Sequence, residues 1–195
     1  MIKRKITLLL IFLLFTVPSF SQKNDSARIS LNHYSLTVGF GWSHYINSLE
    51  LGKDEAAINF PGVSLKFFWE PEHRLSLGLE SGFYCLYRVK HENDPEAEGR
   101  VTMSVVPLLL TVRMRIVDHF YLTAGAGLAA MFNKVSGVGQ TINSTVWSLS
   151  NYQFSGSYLY PLNKHWIVGG ELKVFNFGKA DDWMYSLQAC CAIRL

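Results

Sequence analysis

The chain closes on a single-residue alternation. Trp183, Tyr185, Leu187, Ala189, Cys191, Ile193 and Leu195 share one face, and Met184, Ser186, Gln188, Cys190, Ala192 and Arg194 share the other. A period of two held over that distance predicts a long strand with a different environment on each side. The pattern recurs along the chain. Tyr34, Leu36, Val38, Phe40 and Trp42 oppose Ser35, Thr37, Gly39, Gly41 and Ser43, and Val63, Leu65, Phe67 and Trp69 oppose Ser64, Lys66, Phe68 and Glu70. A third strand runs from Leu75 to Val89. A fourth carries Val106, Leu108, Leu110, Val112, Met114 and Ile116 against Thr111, Arg113 and Arg115. Its phase slips near Val105 to Pro107, which predicts a bulge there. The fifth runs from Phe120 to Phe132. The sixth spans Trp147 to Tyr160 with a phase shift between Leu149 and Tyr152, and the seventh spans Trp166 to Val174. The terminal strand is the eighth, and no segment has the periodicity of an amphipathic helix.

The connections alternate in length as well. Tight turns are predicted at Pro71 to His73, Val117 to His119 and Pro161 to Lys164. The links Asn47 to Ala57, His91 to Arg100 and Asn133 to Asn143 are longer, and Gly178 to Asp182 is short. An even strand number with tight turns at one end and longer loops at the other is the organisation of an outer-membrane barrel. The expected fold is therefore all-β: an eight-stranded antiparallel up-and-down transmembrane barrel.

Alternation alone does not separate a lipid-embedded barrel from a soluble one, because each has one apolar face. The opposite face decides. On a soluble barrel it is the solvated exterior and is rich in Lys, Glu and Asp. Here it is Ser, Thr, Gly, Ala and Tyr with isolated charges, which suits the narrow, side-chain-filled interior of eight strands. Strand length agrees, since a tilted membrane strand needs about 9–11 residues. Aromatics fall toward strand ends in two sets, Trp69, Phe120, Tyr160 and Trp166 by the tight turns and Trp42, Tyr87, Phe132, Trp147 and Trp183 by the other rim. These predict girdles at the two lipid headgroup levels.

A leader is predicted ahead of the strands. Lys3, Arg4 and Lys5 precede an apolar run from Ile6 to Val17, and Ser19 and Ser21 occupy the small-residue positions of a cleavage site. Residues 1–21 read as a signal peptide and 22–195 as the barrel domain. Removing the three leader cations leaves fifteen basic residues against fifteen acidic ones. The overall pI near 8.7 is then no argument for nucleic-acid binding. Cys190 and Cys191 point to opposite faces of one strand, and Cys85 lies on a strand not adjacent to theirs. The cysteines read as small apolar fillers rather than as a disulfide framework.

The segment Ser104 to Arg115 (SVVPLLLTVRMR), followed by Phe120 to Gly127 (FYLTAGAG) and combined with the Leu75 to Tyr87 strand, resembles the PorT-like outer-membrane β-barrel domain family. The resemblance implies an outer-membrane location. It also implies roles that, for some members, assist protein secretion or gliding machinery. Such barrels usually end in an aromatic residue, whereas this chain ends in Leu195.

Candidate chemistry is sparse. Gly125, Gly127 and Ala130 fit a dinucleotide-binding spacing, but the strand pattern continues through them and no acid occurs between Asp118 and Glu171. Ser43 and His44 are neighbours on a strand and face opposite ways, so they do not form a nucleophile–base pair. His73, His119 and His165 sit in three separate turns, too far apart for one zinc ion. No catalytic residue, metal site or cofactor is predicted. The informative polar set is Lys66, Glu80, Arg88, Arg113, Arg115, Glu171 and Lys173, all expected in the lumen. Confined ions must pair or remain wet. The predicted arrangement is a charged plug in which Glu80 and Glu171 are shared among Arg113, Arg115 and Lys173. The expected role is structural or interactive, with outer-membrane lipids and the outer-membrane assembly machinery as partners. An accessory subunit of a secretion apparatus, with secretion-apparatus proteins as partners, and a narrow channel are the alternatives.

Overall fold

The computed structural model describes residues 32–46, 56–71, 74–91, 99–137, 140–178 and 182–195. The predicted signal peptide, the turn residues Glu72 and His73 and the segments 47–55, 92–98, 138–139 and 179–181 lie outside the described residues.

Eight strands form one antiparallel sheet closed on itself. They are β1 (Asn32–Ile46), β2 (Asn59–Pro71), β3 (Leu75–His91), β4 (Gly99–Val117), β5 (Phe120–Gly137), β6 (Gln140–Pro161), β7 (Trp166–Phe177) and β8 (Asp182–Arg194). Each pairs with its sequence neighbour, and β1 with β8 completes the cylinder. Closure leaves the wall without the unpaired edges that hydrocarbon does not hydrogen-bond. A two-residue strand, Ala56–Ala57, extends β2 past a break at Ile58 and pairs with Val89 and Arg88.

The exterior is apolar and the interior polar along most of the wall. Leu65, Phe67, Leu79, Leu110, Phe154 and Leu187 are exposed, while Lys66, Glu80, Thr111, Gln153 and Gln188 are buried. A water-soluble barrel distributes these classes the other way round. Eight of the nine predicted girdle aromatics are on the exterior: Trp42, Trp69, Phe120, Phe132, Trp147, Tyr160, Trp166 and Trp183.

Tyr87 is the ninth, and a bulge moves it. Cys85 pairs with Ser104 and Tyr87 with Met103, so Leu86 is an extra residue on β3. Phase inverts there. Tyr87 consequently packs against interior residues, its ring 5.9 Å from that of Tyr45. Arg88 is eight residues along β3 from Glu80, too far up the strand to join the lumen charges. It lies with its guanidinium over the Phe60 ring at 5.3 Å.

The predicted slip in β4 is not observed. Val105, Pro107, Leu109, Thr111 and Arg113 are all buried, in one unbroken phase. The sequence mimics a slip because the inward residues at that end of the strand are as apolar as the outward ones. The phase shift in β6 is real. Ala129 pairs with Ser148 and Gly127 with Asn151, and the Asn151 amide fills the irregularity by donating to the carbonyls of Ser148 (2.9 Å) and Gly127 (3.3 Å).

The link Asn133 to Asn143, expected as a loop, is instead a β-hairpin paired to Gly137 and Gln140. The β3–β4 pairing likewise continues to His91 and Gly99. The wall therefore rises at one end as a sheet formed by β3 to β6. At the opposite end the turn between β4 and β5 is tight, with His119 at φ 69°. Histidine is among the residues that tolerate that left-handed conformation.

Candidate functional site

Four charged side chains meet in the bore. Lys66 enters from β2, Glu80 from β3, and Glu171 and Lys173 from β7. All four are buried. Lys66 donates to Glu171 and Lys173 donates to Glu80. The alternative partners are close by, with Lys66 to Glu80 at 4.0 Å and Lys173 to Glu171 at 3.8 Å. Each cation thus lies between both anions, and the net formal charge is zero.

Neutral groups hold this ring in place. Gln153 donates to Glu80, and Lys173 donates to the Tyr84 hydroxyl at 3.2 Å. Gln188 donates to the same hydroxyl at 3.4 Å and accepts from Ser64 at 2.6 Å. Buried ions are tolerable only where opposite charges and hydrogen bonds replace water, and here both do.

A second ionic layer lies nearer the tight turns. Arg113 donates to Glu70 at 2.5 Å, Ser35 donates to the same carboxylate at 2.5 Å, and Arg194 approaches it at 3.5 Å. The Arg113 guanidinium also covers the Phe68 ring at 3.9 Å. The void between this layer and the central ring, lined by Thr37, Lys66, Arg113 and Ser157 among others, measures about 10 Å³. That is at the lower limit for one water and far too small for a passage.

The predicted sharing of Glu80 with Arg113 and Arg115 is therefore corrected. Strand register is the reason: Arg113 lies opposite Ser76, and Leu109 is the residue opposite Glu80. Arg113 instead meets Glu70, whose inward parity with Lys66 and Phe68 was visible in the alternation. Arg115 lies lower still and is exposed at the rim.

Toward the raised end the bore is apolar. Tyr45, Tyr84, Leu86, Val105, Leu109, Met131, Phe175, Phe177 and Met184 form a buried cluster. Tyr45 donates to Asp182 at its edge. Alternation marked most of these positions as inward, yet their apolar character sets them apart from the Ser/Thr/Gly pattern expected of the lumen.

Ser43 is buried and donates to Ser186 at 3.0 Å, whereas His44 is exposed with Nδ1 2.8 Å from Asn59 Oδ1. His119 packs against Tyr158 and Tyr160, and His165 Nδ1 lies 3.5 Å from the Arg194 carbonyl. Among the described residues no three His, Cys, Asp or Glu side chains are placed to hold a metal ion. All three cysteines are free thiols, and Gly125 to Ala130 lie within β5.

No family model matches the chain, and no curated protein matches its sequence. Solved structures do resemble it. The attachment invasion locus protein Ail of Yersinia pestis, in complex with the heparin analogue sucrose octasulfate, superimposes with a TM-score of 0.57 at 15% identity, over 85% of this chain and 100% of Ail. A major outer membrane protein from Thermus thermophilus gives a TM-score of 0.52 at 14% identity, over 84% and 99% of the two chains. Neisserial surface protein A gives 0.51 at 10% identity, over 82% and 96%. At these identities the likeness is one of fold: a closed, eight-stranded antiparallel barrel of the outer-membrane type.

Proposed function

We propose that this chain is an integral outer-membrane protein with a structural or interaction role, in which the barrel is a closed anchor for the sheet raised at one end. One observation carries this reading: the side chains facing out are Leu, Phe and Trp, while Lys66, Glu80, Glu171 and Lys173 are withdrawn into the bore. Only a hydrocarbon surround makes that distribution stable. The tight turns then face the periplasm and the raised sheet faces outward.

The filled bore favours an anchor over a narrow channel, and no constellation among the described residues favours catalysis. The PorT-like resemblance, carried by Ser104 to Arg115 and Phe120 to Gly127, supports a place beside secretion machinery as the second reading. Membrane fractionation with a heat-modifiable gel shift tests the first. Recovery in the outer membrane, with faster migration before boiling, is the expected outcome. A detergent-free monomer in the periplasmic extract overturns it. Planar-bilayer recordings from the refolded protein are expected to show no resolved conductance, and a steady ionic current overturns the closed-anchor reading.

A further inference from the structure

The barrel wall is closed, yet among the described residues the raised sheet ends in an open edge. β6 pairs with β7 only from Asn151 opposite Phe177 onward, and the Gly178 amide donates to the Ser150 carbonyl as the last contact on that side. From Gln140 to Ser148, β6 pairs among the described residues with β5 alone. At ~3.4 Å per residue, roughly 30 Å of strand has no neighbour on one side among the described residues.

Natural edges are usually blunted by Lys, Pro or inward charges. This one has none: Gln140 to Ser150 reads QTINSTVWSLS, without a charge, a proline or a glycine. One face of the edge is also apolar. Ile142 pairs with Val135, Val135 with Val101, and Val101 with Val89, a row crossing four strands. Val135 shares the parity of Met131, so the row lies on the side facing the barrel mouth and continues the interior cluster upward. Ile142 is 62% exposed and Val135 41%.

We infer that the β6 edge from Gln140 to Ser150 is a strand-addition site. Its occupant is an extended, uncharged segment of another protein, with alternate apolar side chains laid against Ile142 and Val146. This deepens the interaction role proposed above and rests on that reading. An unpaired backbone edge offers alternating N–H and C=O groups, which a peptide strand satisfies and a sugar or lipid does not. A second copy in the same membrane does not fit. Strands tilted by about 35–45° and related by an axis along the membrane normal cross at about 70–90°, and so do not form a ladder.

The segment already paired with this stretch on its covered side supplies the probe. A fluorescent peptide with the sequence of Ala130 to Gly137, made uncharged by Lys134→Gln, matches Trp147 to Gln140 residue for residue. It is titrated by fluorescence anisotropy into protein refolded in phosphatidylcholine nanodiscs. Saturable binding is expected, with slowed amide exchange along Gln140 to Ser150. The double variant Ile142→Lys/Ser144→Lys places charges on the edge and is expected to weaken binding at least about tenfold. Its heat-modifiable gel shift stays unchanged, because both residues lie beyond the wall. Absent binding to the wild type with that gel shift intact overturns the strand-addition site while leaving the membrane reading standing. Equal binding by the lysine variant also overturns it. Nanodiscs that pair edge to edge, and separate on introduction of the lysines, replace the foreign strand by a second copy in an apposed membrane. Loss of the gel shift in the wild type points instead to failure of the barrel reading.

Discussion

Lys173 and Glu80 are hydrogen-bonded across the bore, although their strands β7 and β3 are not neighbours on the wall. The contact braces the cylinder along a diameter, which backbone pairing around the circumference does not do. Lys66 and Glu171 form a second brace of the same kind, between β2 and β7.

Glu80→Ala removes the acceptor of a fully buried ammonium. Glu171 remains 3.8 Å from Lys173 and compensates in part. A loss of about 3 kcal/mol is expected, the lower end of what breaking a buried pair costs. It is measured as a lowered urea midpoint of the heat-modifiable form. The double variant Glu80→Gln/Lys173→Met removes both charges and is expected to recover most of the loss. A double variant no more stable than Glu80→Ala contradicts the brace.

Arg113 serves two partners with one planar group. It pairs with Glu70 and stacks on Phe68 at 3.9 Å. Arg113→Lys keeps the charge and loses the stacking surface, for an expected cost of about 1 kcal/mol. Glu70→Gln is expected to cost more, because Arg113 then stays buried beside a neutral acceptor. Chemical denaturation of the two variants side by side checks the order.

Gly169 and Gly170 are adjacent but not equivalent. A methyl group at Gly169 meets the Tyr158 carbonyl oxygen and comes within 2.9 Å of Leu159 Cα, whereas one at Gly170 finds nothing nearer than the Gln188 carbonyl at 3.8 Å. Gly169→Ala is expected to cost about 1–3 kcal/mol through backbone displacement. Gly170→Ala is expected to be neutral or to stabilise by up to about 0.5 kcal/mol. Equal midpoints for the two argue against the close approach of β6 and β7.

Leu110 is 64% exposed at mid-wall, and Leu162 is 62% exposed in a tight turn. In water the two replacements by arginine are alike. In a bilayer, Leu110→Arg costs about 2–4 kcal/mol, and Leu162→Arg about 0–1 kcal/mol. Refolding yields into lipid vesicles, compared for the two variants, read the difference directly. Indistinguishable yields remove the case for hydrocarbon around the barrel.

Period-two alternation made the wall legible, because inward and outward residues differ in kind at almost every step from Tyr34 to Phe40 or from Phe154 to Leu159. It became ambiguous where both faces are apolar. Val105 to Pro107 read as a slipped phase, while the inserted residue was Leu86 on the facing strand. Lys66, Glu80, Arg113, Glu171 and Lys173 were legible as lumen charges, and so was the sharing of Glu80 and Glu171 with Lys173, but Arg88 and Arg115 lie elsewhere and Arg113 has another partner. Pairing depends on strand stagger and on contacts across the bore, neither of which leaves a periodic trace in one strand. Arg113 thus met Glu70 rather than Glu80. The open edge of β6 was hidden for a related reason: Gln140 to Asn143 is polar enough to read as loop, and only its pairing with Lys134 to Gly137 makes it a strand.

The central ring draws its four members from opposite ends of the chain, Lys66 and Glu80 early, Glu171 and Lys173 late. Before closure each half holds its cation and anion only at 4.0 and 3.8 Å, and the two direct pairs, Lys66 to Glu171 and Lys173 to Glu80, form only when the last strands meet the first. Formation of both hydrogen-bonded ion pairs and sealing of the cylinder are then one event, so the final strand pairing is favoured by the bore as well as by the wall.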